Sequence, residues 1–139
     1  MKKRVACLAL LGTLIGCTTT AVEPGREHPI PAERVFLPNL LAPSAERSAQ
    51  IVVTRDQGVK GSACAYLLFL DNAKVVSIRS SESATLHVTP GGHFLRLETT
   101  GGFCGSSATS QNVVIGAGER QAYRAIQPAS GEAHLSRSE

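Results

Sequence analysis

Short runs of strand-forming residues, separated by turn residues, extend from Ala49 to Ile126. The runs are rich in Val, Ile, Leu and Thr, and clusters of Gly, Pro, Asp, Asn or Ser separate them at intervals of about 8–12 residues. No stretch of useful length has apolar residues at helical spacing. The pattern therefore predicts an all-β fold, a small antiparallel β-sandwich of about seven strands. The predicted strands cover residues 50–55, 63–70, 74–79, 84–89, 93–99, 112–115 and 121–126.

Two of the turns predict tight connections between neighbouring strands. Asp71-Asn72 suits a turn with positive φ, which Asn tolerates. Pro90-Gly91-Gly92 predicts a hairpin between strands 84–89 and 93–99. A four-residue turn there would pair His87 with Phe94 and place His87 and His93 on opposite faces, which disfavours a shared metal. A turn of three or five residues would change this result.

The first 16 residues have the organisation of a secretory signal peptide. Lys2, Lys3 and Arg4 precede an almost wholly apolar segment, residues 5–15, which ends at Gly16. This segment is shorter than the roughly 20 apolar residues of a spanning helix. Removal of the signal also removes three cations, so the formal charge falls from +3 to zero. No Lys/Arg-rich run is left, and nucleic acid is not an expected partner.

The sequence Leu14-Ile15-Gly16-Cys17 resembles the lipobox of bacterial lipoproteins. The resemblance implies that a diacylglycerol is attached to the sulfur of Cys17, that the chain is cleaved before Cys17, and that the new amine receives an acyl chain such as palmitate. Two or more chains give stable membrane attachment. The residue after the cysteine is Thr18 rather than Asp. In Gram-negative lipoproteins this implies the outer membrane, here facing the periplasm. The alternative is an ordinary signal peptide with a chance cysteine.

The mature chain would contain two further cysteines, Cys64 and Cys104. In an oxidising compartment they favour one disulfide bond. Two buried thiols or a metal pair are the alternatives, but there is no CxxC spacing and no neighbouring His cluster. Cys104 would be available as a nucleophile only if Cys64 were not its partner.

The segments on either side of the strand region are predicted to lack a core. Residues 17–48 contain five of the seven prolines, with mixed charges, and are expected to form a lipidated N-terminus and an extended linker. The apolar segments Val35-Phe36-Leu37 and Leu40-Leu41 interrupt this linker, either as an edge strand docked on the domain or as a partner-binding segment. Residues 49–127 form the predicted β-sandwich domain, and residues 128–139 a frayed polar tail.

The turn motifs resemble those of known bacterial surface domains. They are similar to the turns of domains of unknown function in bacterial lipoproteins with a prealbumin-like sandwich, and to those of PEGA-type domains. The segments concerned are the strand ending in Arg55-Asp56, the turn in 70–75, the 86–93 segment and Ala117-Gly118-Glu119. Asn72 stands where those domains usually have glycine, and an extra glycine precedes His93. Because the shared motifs form turns, the resemblance implies the fold and no activity.

The sequence predicts no catalytic residue, metal site or cofactor. No serine lies in a GxSxG elbow, and the Gly101–Gly105 stretch lacks GxGxxG or Walker spacing. Asp56, Asp71 and Glu119 are assigned to turns, where turn chemistry explains them.

We therefore expect a non-enzymatic envelope lipoprotein that binds a protein or a cell-surface polysaccharide through loops of the sandwich, chiefly residues 100–110. A structural anchor subunit of a larger envelope or secretion complex is the second hypothesis. An enzyme or ligand carrier is the third.

Overall fold

The computed structural model of the protein describes residues 19–59, 61–128 and 132–138. The predicted signal peptide and Cys17 lie outside this part of the chain. Nine strands are present in it, together with three short 3₁₀ turns. The strands are β1 His28–Pro29, β2 Ala49–Arg55, β3 Tyr66–Leu70, β4 Ala73–Ile78, β5 Glu82–Val88, β6 Gly91–Thr99, β7 Ala108–Ile115, β8 Arg120–Ile126 and β9 His134–Arg137.

The strands form two packed sheets, which confirms the all-β sandwich. One sheet has the order β1-β5-β2-β8-β9, and the other has the order β4-β3-β6-β7. Most neighbouring strands are antiparallel, as predicted. Two pairs, β1–β5 and β2–β8, are parallel instead.

The core between the sheets follows the alternation of apolar residues along the strands. In β5, Ala84, Leu86 and Val88 are buried while the intervening residues are partly exposed. β3 alternates in the same way, and its buried side chains include Leu68. Successive side chains of a strand point to opposite faces, so this alternation is sufficient to direct one face of each sheet inward.

The segment that was predicted to be an extended linker is part of the folded domain. Residues 19–48 lie against the sandwich, where β1 pairs with β5 and Val35 forms a bridge with Val76 on the otherwise open edge of β4. Arg34 forms an ion pair with the buried Glu82 and donates a hydrogen bond to Ser77 O at 3.0 Å. The apolar residues of this segment pack on the core, which confirms docking of the 35–37 island and extends the domain toward the N-terminus. They are Ile30, Val35, Leu37, Leu40 and Leu41.

Two further expectations are corrected. The predicted polar tail contains β9, which pairs with β8 from Ile126↔His134 to Tyr123↔Arg137 and so covers the edge of its sheet. The predicted hairpin between strands 84–89 and 93–99 does not form, because β5 and β6 belong to different sheets. The turn at residues 89–90 therefore crosses from one sheet to the other.

The strand directions define two ends of the sandwich. We call one the entry end: it comprises Thr19, the β2–β3 loop (residues 56–59 and 61–65), the β6–β7 loop (residues 100–107) and Gln127. The opposite far end comprises the turns at residues 71–72, 89–90 and 116–119.

Candidate functional site

The chain is tied to the sandwich at the first residue that the structure describes. The Thr19 hydroxyl donates to Gln127 O at 3.1 Å, and Gln127 N donates back to the same hydroxyl at 3.1 Å. Thr20 and Gln57 exchange two backbone hydrogen bonds of 2.8 and 2.9 Å. Thr19 is two residues from Cys17, and two extended residues span at most about 7 Å.

A buried carboxylate supports this connection. Asp56 follows the last residue of β2, and its side chain is 1% exposed. It accepts hydrogen bonds from Arg124 Nε at 3.0 Å and Arg124 Nη2 at 2.7 Å, and its Oδ2 lies 3.3 Å from the Thr19 hydroxyl, whose single proton it shares with Gln127 O. A forked pair of this kind fixes both side chains. Asp56 therefore joins β2, β8 and the incoming chain.

A buried cation organises the adjacent loop. Arg55 is 3% exposed and donates to three backbone carbonyls, Gly61 at 2.6 Å, Ile78 at 3.2 Å, and Cys64. Its guanidinium carbon lies 3.9 Å from the centre of the Tyr66 ring. The loop consequently has a defined shape although glycine and small residues dominate its sequence.

Burial changes the acidity of this stacked pair. Loss of hydration lowers the pKa of Arg55, and the nearby Tyr66 and Glu82 only partly oppose that change. Burial also raises the pKa of Tyr66. Tyr66 thus keeps its proton and donates it to Gln127 Oε1, so both groups serve to fix the entry end.

The predicted disulfide is present at the entry end. Cys64 and Cys104 are bonded, with their Cα atoms 5.7 Å apart. The bond joins the β2–β3 loop to the β6–β7 loop, neither of which has a regular backbone ladder of its own. Neither sulfur is available as the nucleophile considered above.

A groove of about 350 Å³ lies beside the buried carboxylate. Its floor includes Val52, Ala122 and Arg124 from β2 and β8, and the N-terminal segment forms a wall through Pro24 and Glu27. Asp56 and Arg124, which also line the groove, are bonded to each other. The groove is concave with a mixed polar and apolar lining, and this contact is a structural ion pair.

The histidines are not brought together. His87 lies on β5 and His93 on β6, in different sheets. At the far end His93 contacts Asp71 Oδ2 through Nδ1 and Thr89 O through Nε2, both at 2.7 Å. Within the described ranges, no group of three or more His, Cys, Asp or Glu side chains is placed to hold a metal ion.

A row of alternating aromatic and cationic side chains crosses the outside of the β4-β3-β6-β7 sheet. We call Phe36, Lys74, Phe69 and Arg96 the outer row. Phe69 pairs with Lys74 on one side and with Arg96 on the other. Lys74 Nζ lies 4.2 Å from the centre of the Phe36 ring, and Arg96 Cζ lies 4.1 Å from that of Phe69.

Sequence reasoning did not identify the entry end or the outer row. It assigned Asp56 to a turn, whereas the structure buries its side chain against Arg124. The 100–110 loop divides in the structure: residues 100–107 belong to the entry end, whereas residues 108–110 are part of β7.

The chain matches no known family model, no curated protein and no solved structure. No helix in residues 19–59, 61–128 or 132–138 is long and apolar enough to cross a membrane.

Proposed function

We propose that the protein is a non-enzymatic envelope lipoprotein, anchored in the outer membrane through Cys17 and facing the periplasm. It binds a protein or a cell-surface polysaccharide through its sandwich domain. The observation that supports this most directly is the entry of the chain at Thr19. Its bonds to Gln127 and Asp56 give the sandwich a fixed point of attachment two residues from the proposed lipid.

The docked N-terminal segment changes how a partner would be reached. A free linker of residues 17–48 would have let the domain extend away from the membrane. Because residues 19–48 are instead part of the domain, an anchored molecule stays close to the bilayer. The proposed partner surface is therefore the far end and the outer sheet face, rather than residues 100–107.

The alternative is a structural anchor subunit of a larger envelope or secretion complex. The outer row favours this alternative, because an outer sheet face with ordered aromatic and cationic groups suits contact with another folded subunit. Phe36 is 43% exposed and Val114, on the same sheet, is 79% exposed. A stoichiometric complex recovered from detergent extracts would favour this hypothesis over a dispersed polysaccharide ligand.

Metabolic labelling tests the anchor. Cells expressing the full chain are given a radioactive fatty acid, and we expect label in this polypeptide and recovery with membranes. Cys17→Ser should abolish both, while the matched control Cys7→Ser, in the predicted signal segment, should change neither. Unlabelled wild-type protein, or C17S that fractionates with membranes as before, contradicts the proposal.

Affinity capture tests the binding role. Protein solubilised in mild detergent is incubated with envelope extract and, separately, with purified peptidoglycan and surface polysaccharide. We expect retention that Lys74→Glu reduces and that the control Arg26→Glu, an exposed cation of the N-terminal segment, leaves unchanged. Recovery of nothing from all three preparations counts against a binding function.

A further inference from the structure

Two large apolar side chains at the entry end are fully exposed. Val59 is 94% exposed and Phe103 is 103% exposed. We call these two residues the apolar tips. Both are on loops, so neither is explained by the alternation of a strand. Covering such side chains with an apolar surface is favourable, because it removes their area from water.

Both apolar tips lie close to the point where the chain enters. A Cβ atom placed on Gly58, the residue before Val59, would be 3.1 Å from Thr19 Cα. Phe103 precedes Cys104, which the disulfide joins to Cys64 in the loop that contains Val59. The disulfide and the bonds of Arg55 to Gly61 and Cys64 hold these loops in place.

The parts of the two loops that carry the apolar tips contain no acidic residue. Residues 57–64 and 100–107 contain no Asp or Glu, and Lys60 is their single charged residue. These loop segments themselves add no negative charge that would repel phosphate-bearing lipid headgroups. Asp56, at the start of the β2–β3 loop, is buried and paired with Arg124, while Glu98, paired with Arg96, and Glu132 lie beside residues 104–107.

We infer that the apolar tips insert into the interfacial region of the lipid bilayer and orient the sandwich with its entry end on the membrane. The inference rests on the proposed lipid attachment at Cys17. The two residues of chain from Thr19 back to Cys17 span at most about 7 Å. Apolar groups of interfacial proteins enter the headgroup and acyl boundary by about 5–10 Å. The anchor therefore brings both side chains to the depth at which they would be covered.

A single tryptophan provides the test, because the chain contains none. Phe103→Trp places an indole at one apolar tip, and the matched control Val114→Trp places one at an exposed position on the outer sheet face, paired with Gly92 near the far end. Each lipidated full-length product is reconstituted in vesicles of phosphatidylethanolamine and phosphatidylglycerol. Flotation measures attachment, and brominated lipids measure contact of the indole with acyl chains.

We expect both variants to float, and only the indole of F103W to show blue-shifted emission and quenching by brominated lipid. If both variants float and F103W emits as in water, the inference is overturned while the anchor stands. If neither variant floats, the proposed lipid attachment at Cys17 is wrong. In that case residues 17–139 are coupled through Cys17, the free thiol left beside the disulfide, to a maleimide lipid. Quenching of F103W in this form supports insertion of the apolar tips, and absence of quenching refutes the insertion.

Insertion and contact with a protein are separated by the same measurement. The vesicles contain no other protein, so quenching there requires lipid. Phe103→Asp, at a fully exposed position, should leave the urea midpoint unchanged. In the lipidated product that carries Val59→Trp, the same change should weaken quenching of the indole by brominated lipid, and equal quenching with and without Phe103→Asp would oppose insertion.

Discussion

Replacement of Arg55 by Met should cost the domain about 3 kcal/mol of unfolding free energy. Arg55 is 3% exposed and donates to the carbonyls of Gly61, Cys64 and Ile78 while stacking on Tyr66. Hydrogen bonds from a charged donor contribute about 1.5 kcal/mol or more each, and a desolvated cation–π contact about 2 kcal/mol.

The gross loss is thus about 6.5 kcal/mol, and it is partly offset. Met does not bear the dehydration cost that lowers the pKa of Arg55, and relief of that cost, several kcal/mol for a buried ion, returns about 3.5 kcal/mol. Arg55→Lys should fall between wild type and R55M, because an ammonium cannot reach three carbonyls in the fork geometry of a guanidinium. Urea unfolding of the oxidised Cys17→Ser form, residues 17–139, measures these differences.

With a urea m-value of about 1.5 kcal/mol/M, the R55M midpoint should fall by about 2 M. Arg26→Met is the matched control, since the Arg26 side chain is 78% exposed and such surface changes usually stay within about 0.5 kcal/mol. If R55M and R26M unfold at the same urea concentration, Arg55 does not organise the entry end in the way that we describe.

Two other predictions concern the disulfide and one histidine. The double variant C64S/C104S should lose about 4 kcal/mol of unfolding free energy, the chain-entropy value for a separation of 40 residues. Limited proteolysis of this variant should cut first in residues 100–107. An unchanged free energy of unfolding would contradict the prediction. At the far end, burial opposes protonation of His93. Its hydrogen bonds to Thr89 O and Asp71, together with the charge of Asp71, outweigh this effect and raise the pKa of His93 above its ordinary value of 6.5. Because the folded-state pKa is the higher one, His93 stabilises the fold fully below pH 6.5, and this stabilisation is lost as the pH rises through the folded-state value. The stability difference between wild type and His93→Gln should shrink over that range in urea titrations, and a difference constant from pH 5 to 9 would refute the assignment.

Local signals in the chain accounted for the central strands. Alternation in 84–89 and the β-branched run in 50–55 predicted β5 and β2 closely, because both patterns depend on residues adjacent in sequence. The Cys64–Cys104 bond was also predictable, since two cysteines in an oxidising compartment leave one pairing. The Asp71-Asn72 turn, with both residues at positive φ, follows from the tolerance of these side chains for that conformation.

Segments whose structure depends on distant partners were not predictable in the same way. Residues 19–48 and 132–138 contain too few periodic apolar residues to indicate strands, and they are ordered by edges and clefts that the rest of the fold provides. The crossing at residues 89–90 looks locally like a hairpin turn. Whether its flanking strands pair depends on the competing partners β2 and β3.

The sequence alone predicted an all-β domain, most of its turns and the Cys64–Cys104 disulfide, and it predicts an anchor at Cys17. Only the tertiary structure decided that Thr19, Asp56 and Arg124 meet at one end, and that Val59 and Phe103 are exposed beside them. The physical reason is that strand and turn preferences act over a few neighbouring residues. The partners of a buried charge are chosen by which chain segments the packed sheets bring into contact.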